Sequence, residues 1–204
     1  MNIMTSTPDH ATLDIVHYPH PTLRRKSKTV KRVNARLRRT IRQMFDLMYE
    51  FRGVGLAANQ VDLPLRLFVA NPLADPDEGE EFVFINPVLQ RPKGREEGEE
   101  GCLSFPDTFG LVTRAKQIHV QAYGLDGKEI SADLHGLMAR IVQHETDHLD
   151  GVLFPDRMTE THRTTVAEDL EAFELEHERL LAAGNIPSES EIETRLLQWE
   201  QEYC

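Results

Sequence analysis

Gln143-His144-Glu145-Thr146-Asp147-His148-Leu149-Asp150-Gly151 is the stretch that decides the reading of this chain. Leu137, Ile141, His144 and His148 step by four, three and four, the stripe of an amphipathic helix, and Gly151 stands where such a helix would close. Residues four apart share a helix face, so both imidazoles can reach one metal ion, while Glu145 is turned toward the position a water would take. Two core histidines held by hydrogen bonds would fit the same five residues, but their place on the apolar stripe favours the metal. A third ligand is then needed. The longer zinc-protease pattern puts a histidine where this chain has Phe154, which leaves Glu168, Glu171 or Glu174 downstream, or Cys102 upstream. Cys102 could equally be a small buried hydrophobe, as most lone cysteines are.

Working outward, Leu37, Ile41, Met44, Met48 and Phe51 predict a first helix, with Asn34 to cap it and Gly53 to end it. Apolar and aromatic content predicts strands over 65–71 and 81–86. Residues 91–101 are so polar and glycine-rich that they read as a loop or a strand edge delivering the chain to Cys102. Alternation over 117–123 and 128–134 around a turn at 124–127 predicts a hairpin. Two amphipathic helices follow, one through Val166, Leu170, Phe173, His177 and Leu180, the other through Ile192, Leu196, Trp199 and Tyr203, the second with a Ser188/Glu191 capping box. The expectation is an α+β catalytic domain over 1–158 and an acidic helical extension over 159–204.

A chain of 204 residues, 40% hydrophobic, supports one substantial core. It contains no apolar run of membrane-spanning length, and residues 1–14 lack the basic and apolar regions of a secretory signal, so a bacterial-type cytoplasm is expected. Two cysteines, one of them the last residue, fit a reducing compartment. The net charge of −11 argues against broad nucleic-acid binding. Its distribution is uneven, with ten Lys/Arg and no acid over 24–42, and twelve acids against three Arg over 160–204. The basic segment could face ribosomal RNA, or it could be a solvated face partly neutralised by the tail.

Glu100-Gly101-Cys102-Leu103-Ser104, the run from Gly53 through Val54, Gly55 and on to Gln60, and the run around His144 together resemble, in order, the three motifs of the peptide deformylases. The likeness spans about residues 15–158 and leaves the tail outside. It implies antiparallel strands around a central helix carrying HExxH, and a substrate that is an N-formylmethionyl peptide. It also implies that Cys102, His144 and His148 hold one divalent metal, ferrous iron by family habit, with nickel, cobalt or zinc accepted.

By the same resemblance, the Gln60 side-chain amide and the Leu103 backbone N–H stabilise the oxyanion, and the peptide pairs as a strand beside Gly53, Val54 and Gly55. Glu145 would act as general base toward the attacking water and then as general acid toward the leaving amine. Val54, Leu137 and Ile141 are the apolar candidates around the methionine side chain. Glu100 reads as a supporting carboxylate, with Arg114 or Arg140 as partner. Two rival readings stand beside this one: a zinc endopeptidase using a tail glutamate, and a non-catalytic deformylase-like interaction domain. The C-terminal helices could also pair two copies as a dimer.

Overall fold

The computed structural model describes residues 13–204. The first helix, α1 (Ala35–Glu50), forms as its apolar spacing predicts. Asn34 caps it by accepting the Leu37 N–H at 2.9 Å, and Leu37, Ile41, Met44 and Met48 are wholly buried. Phe51 departs from that stripe. It is the residue after the last helical turn, and there the chain swings away and leaves the ring half exposed.

Short strand β1 (Gly55–Ala57) leads into a 3-10 turn, Ala58–Val61, and then β2 (Leu67–Ala70) and β3 (Phe82–Lys93). The strand expected over 81–86 continues well past Asn86, through Pro87, because the pairing of β3 with β6 (Gln117–Tyr123) shifts register near Val88 and tolerates the proline. With β7 (Glu129–His135) these strands make one sheet in the order β1-β2-β3-β6-β7, antiparallel throughout. The 117–123 and 128–134 hairpin is β6–β7.

Of the two expectations for residues 91–101, a loop or a strand edge, the structure takes the strand, with β3 running to Lys93. From Glu96 the chain forms β4 (Glu96–Cys102), paired with β5 (Phe105–Arg114) in a separate two-stranded sheet. Glu96, Glu97 and Glu99 turn to solvent while Glu100 turns inward, so acidic composition concealed a strand whose outward face is charged.

The helix α2 (Gly136–Leu149) lies across the five-stranded sheet. Consecutive residues of β2 face opposite ways. Leu67 and Val69 pack with α1, whereas Phe68 and Ala70 pack with Ile141, Val142 and Leu149 of α2. Both faces being covered explains why β2 is apolar at every position. A third cluster, Leu23, Phe105, Val112, Leu153 and Phe154, joins the two-stranded sheet to short helix α3 (Phe154–Arg157) and takes in Met158 and Val166, which flank the exposed α4 (Glu160–Arg163). Phe154 is therefore core, not a ligand position.

The tail forms α5 (Ala167–Ala182) and α6 (Glu189–Tyr203), the latter with the Ser188/Glu191 capping box. Ile192, Leu196 and Tyr203 are buried, and Tyr203 enters the α1 cluster. Its acids meet part of the basic segment: Arg25 pairs with Glu193 and Glu200, and Arg36 with Glu202. Among the described residues, no helix is long and apolar enough to cross a membrane.

Candidate metal centre and substrate cleft

One turn of α2 places His144 and His148 on the same side, with rings 5.0 Å apart and tilted by 64°. The end of β4 brings Cys102 against them, its Sγ 3.2 Å from His148 Nε2. The three ligand atoms lie within 4.8 Å of one another, and among the described residues this is the one such group. Glu168, Glu171 and Glu174 are on α5 and outside it. A thiol and two imidazoles at this spacing suit a tetrahedral divalent ion with a vacant position.

The surroundings fix each donor. Glu100 Oε2 lies 3.0 Å from His144 Nδ1; a carboxylate can only accept, so Nδ1 carries a hydrogen and Nε2 is the nitrogen left to face an ion. Burial alone would lower the pKa of this ring, but Cys102 and Glu100 raise it and hold a proton there that a bound ion would displace. Arg114 grips Glu100 with two bonds of 2.9 Å, and Arg140 adds a third at 2.7 Å, so both expected partners are used. Burial alone would raise the Glu100 pKa, but His144 and Arg114 outweigh it and hold the carboxyl well below its ordinary range. Arg114 also reaches Asp147, which Arg157 holds at 2.5 and 2.9 Å, tying the back of α2 to α3. Asn59 donates to the His148 carbonyl at 2.6 Å. Burial and the charges of His144 and Arg114 keep His148 well below its ordinary pKa, in the neutral form that binds metals.

Glu145 is 4% exposed, and its Oε2 has no hydrogen-bond partner among the described residues. Burial pushes its carboxyl up to about 7, although His144 and Arg114 oppose the rise. It lies beside Gly55, where a built Cβ would come within 2.5 Å of Oε1. Gly55 therefore serves close approach, its φ being ordinary. On the expectation that Glu145 passes the proton, Gly55→Ala should push its carboxylate aside and slow turnover by roughly 100-fold, the order for a catalytic group misplaced by about 1 Å. Metal content should be unchanged. Steady-state formate release beside metal analysis checks this, and a Gly55→Ala variant of full activity would show that the Glu145 position is not critical.

Gln60, which without its neighbours would read as an exposed polar residue, is 1% exposed in the 3-10 turn. Its Oε1 accepts the Ala57 N–H at 2.9 Å, which turns the amide nitrogen toward Ser104 Oγ at 3.2 Å and Cys102 Sγ at 3.4 Å. Gly53, Val54, Gly55, Gln60, Cys102, Leu103, Leu137, Ile141, His144 and Glu145 all line one cleft of about 780 Å³. Leu137 is half exposed at its rim, whereas Ile141 is buried. The sequence reading missed Ser104, Asn59 and the Arg114–Asp147–Arg157 chain. The first two stand inside quoted motifs, but nothing in residue type marked them as inward-facing.

The model of the polypeptide deformylase family matches residues 12–164. A peptide deformylase of Rhodopirellula baltica is 48% identical over 191 residues, covering 94% of this chain and 95% of that protein. Peptide deformylase 1B, chloroplastic/mitochondrial, of Arabidopsis thaliana is 41% identical, over 90% of this chain and 66% of that protein. A crystal structure of a plant peptide deformylase superposes with a TM-score of 0.80 at 40% identity, covering 92% of this chain and 99% of that one. A family match over most of the chain, a relative nearly half identical over 95% of its length, and a common mixed fold of helices and antiparallel sheet place this chain in the polypeptide deformylase family.

Proposed function

We propose that the chain removes the formyl group from N-formylmethionyl peptides with Cys102 Sγ, His144 Nε2 and His148 Nε2 holding one divalent ion. The observation that carries this reading is the convergence of those three donors within 4.8 Å beside a buried glutamate oxygen that lacks a partner among the described residues. When bound, the ion acidifies a water and polarises the formyl carbonyl. Ferrous iron is the proposed native ion, with zinc, nickel or cobalt as replacements. On this reading α2 is the central helix of the catalytic fold, residues 1–158 are its catalytic domain and 159–204 an extension.

Glu145 takes a proton from the attacking water and returns it to the leaving amine nitrogen, which becomes the free N-terminus of methionine. A carboxyl held near neutrality suits both transfers. The Gln60 amide, already fixed by Ala57, and the Leu103 N–H donate to the oxygen that gains charge. β1 pairs only with β2 among the described strands, so its other edge is open for a peptide to add as a strand beside Gly53, Val54 and Gly55. Backbone pairing reads no side chains after the methionine, whose own side chain sits among Val54, Leu137 and Ile141.

Cys102→Ser separates this reading from a zinc endopeptidase fed by a tail glutamate. The variant should lose most of its metal and its formate release together, measured by metal analysis and formate assay on one preparation. A Cys102→Ser protein that stays fully metallated would favour the endopeptidase.

Bacterial-type cytoplasm is the proposed compartment. Ribosomal RNA remains a proposed partner of segment 24–42, resting on Lys26, Lys28, Lys31 and Arg38, since Arg25 and Arg36 pair with tail acids, Arg32 with the Glu202 carbonyl, and Arg24 and Arg42 with acids of the body. A dimer through the C-terminal helices would use the outer face of α5, where Leu175 is exposed.

A further inference from the structure

Two side chains of the C-terminal helices end on the segments that hold Gln60. Arg195 of α6 donates to Oδ2 of Asp62 from Nε at 3.0 Å and from Nη2 at 2.6 Å. Asp62 closes the 3-10 turn that carries Gln60, in the left-handed region at φ 60°, and its other oxygen accepts the Thr22 hydroxyl at 2.5 Å. On the other side, the Tyr18 hydroxyl donates to Glu174 of α5. The Tyr18 N–H donates to the Ser104 carbonyl at 2.9 Å, and its ring stacks on Phe105 at 5.1 Å. Phe173 of α5 meets Phe105 edge-on at 6.0 Å. Ser104 is the residue whose hydroxyl accepts from the Gln60 amide. One strut thus reaches the turn from which Gln60 projects, and the other reaches the segment its amide touches. Both tail residues lie beyond residue 164, where the family match stops.

We infer that Arg195, and Glu174 through Tyr18, are positioning residues for Gln60, so that the extension sets the oxyanion donor. The inference rests on the proposed role of Gln60. Short 3-10 turns have poor hydrogen-bond geometry, and a non-glycine residue at positive φ is unfavourable, so the turn gains from an anchor at its end. Arg195 is 43% exposed, and an ion pair so exposed adds little to global stability. A donor shifted by a fraction of an ångström loses much of its value in the transition state. Cutting the strut should therefore appear in turnover and not in unfolding.

The test is kinetic, on full-length, metal-loaded protein with a formyl-Met-Ala-Ser peptide. Arg195→Ala should lower kcat about three- to tenfold, with KM within about twofold, a loss confined to transition-state stabilisation. Metal content and the urea midpoint should be unchanged. Arg195→Lys should recover part of the rate, since one donor still reaches Asp62. Arg179→Ala, which removes the exposed pair with Glu176 on α5, should leave kcat as it was. In a Gln60→Ala background, Arg195→Ala should cost nothing further, because the group it positions is gone. If Gln60→Ala slows turnover but Arg195→Ala does not, or if the two losses multiply, the positioning role is overturned while the Gln60 reading stands. If Gln60→Ala leaves kcat unchanged, the Gln60 reading fails and takes the inference with it.

Discussion

Glu145→Gln should bind metal as the wild type does and release formate about 10²- to 10⁴-fold more slowly, the range for loss of a general acid–base. The substitution keeps the shape of the side chain and removes only its capacity to hold and pass a proton. Its cost to the fold should be small, because burial already disfavours the charged form and pushes the carboxyl up to about 7. With KM nearly unchanged and kcat depressed, the loss would belong to the transition state. The pH dependence follows from the same group. A base must be deprotonated to accept, so wild-type kcat/KM should rise with pH along an acid limb. The midpoint of that limb should lie at or below about 7, because the charge of a bound cation opposes the effect of burial. Steady-state formate release against pH, on both proteins, checks the two statements. A Glu145→Gln enzyme within about tenfold of wild type would remove Glu145 from the mechanism.

The second large effect is on stability. Glu100 is 6% exposed and binds Arg114, Arg140 and His144 at once. Glu100→Ala should leave Arg114, equally buried, with only Asp147, and cost about 3–5 kcal/mol, the range for breaking a buried pair by removing one partner. It should also release the His144 ring and weaken metal binding by roughly 10- to 100-fold. Urea unfolding of the metal-free proteins measures the first cost and metal titration the second. The sign of the pH effect is fixed. The folded-state pKa of Glu100 lies below its ordinary value of 4.5, so its contribution is complete above that pH and is lost as pH falls through the folded value. Glu100→Gln should accordingly lose less stability than wild type on acidification below about pH 4.5. A Glu100→Ala protein with the wild-type urea midpoint would contradict the buried network as drawn.

The helices were legible because each buries one stripe. The spacings of Leu37, Ile41 and Met44, and of Ile141, His144 and His148, survive in α1 and α2 almost unchanged. β4 and β5 were not legible, since a two-stranded sheet with one wet face needs few apolar residues, and a run of glutamates looks the same in a loop. At the site, residue type and helical spacing pointed to His144, Glu145 and His148, and the resemblance to the deformylase motifs added Cys102 and Gln60. What the sequence could not carry was the direction of side chains: Ser104 and Asn59 turn inward through hydrogen bonds made across 44 and 89 residues. Nor could it show where the tail helices dock, because amphipathic faces such as that of Ile192, Leu196 and Tyr203 fit a partner chain as well as their own body.

The most direct test of the central claim is formate release from a formyl-Met-Ala-Ser peptide by anaerobically prepared protein, stripped of metal and then titrated with ferrous ion. Activity should be absent from the stripped protein and rise to a plateau at one equivalent per chain. Formate release without metal, or none from fully loaded protein, would contradict a deformylase built on Cys102, His144 and His148.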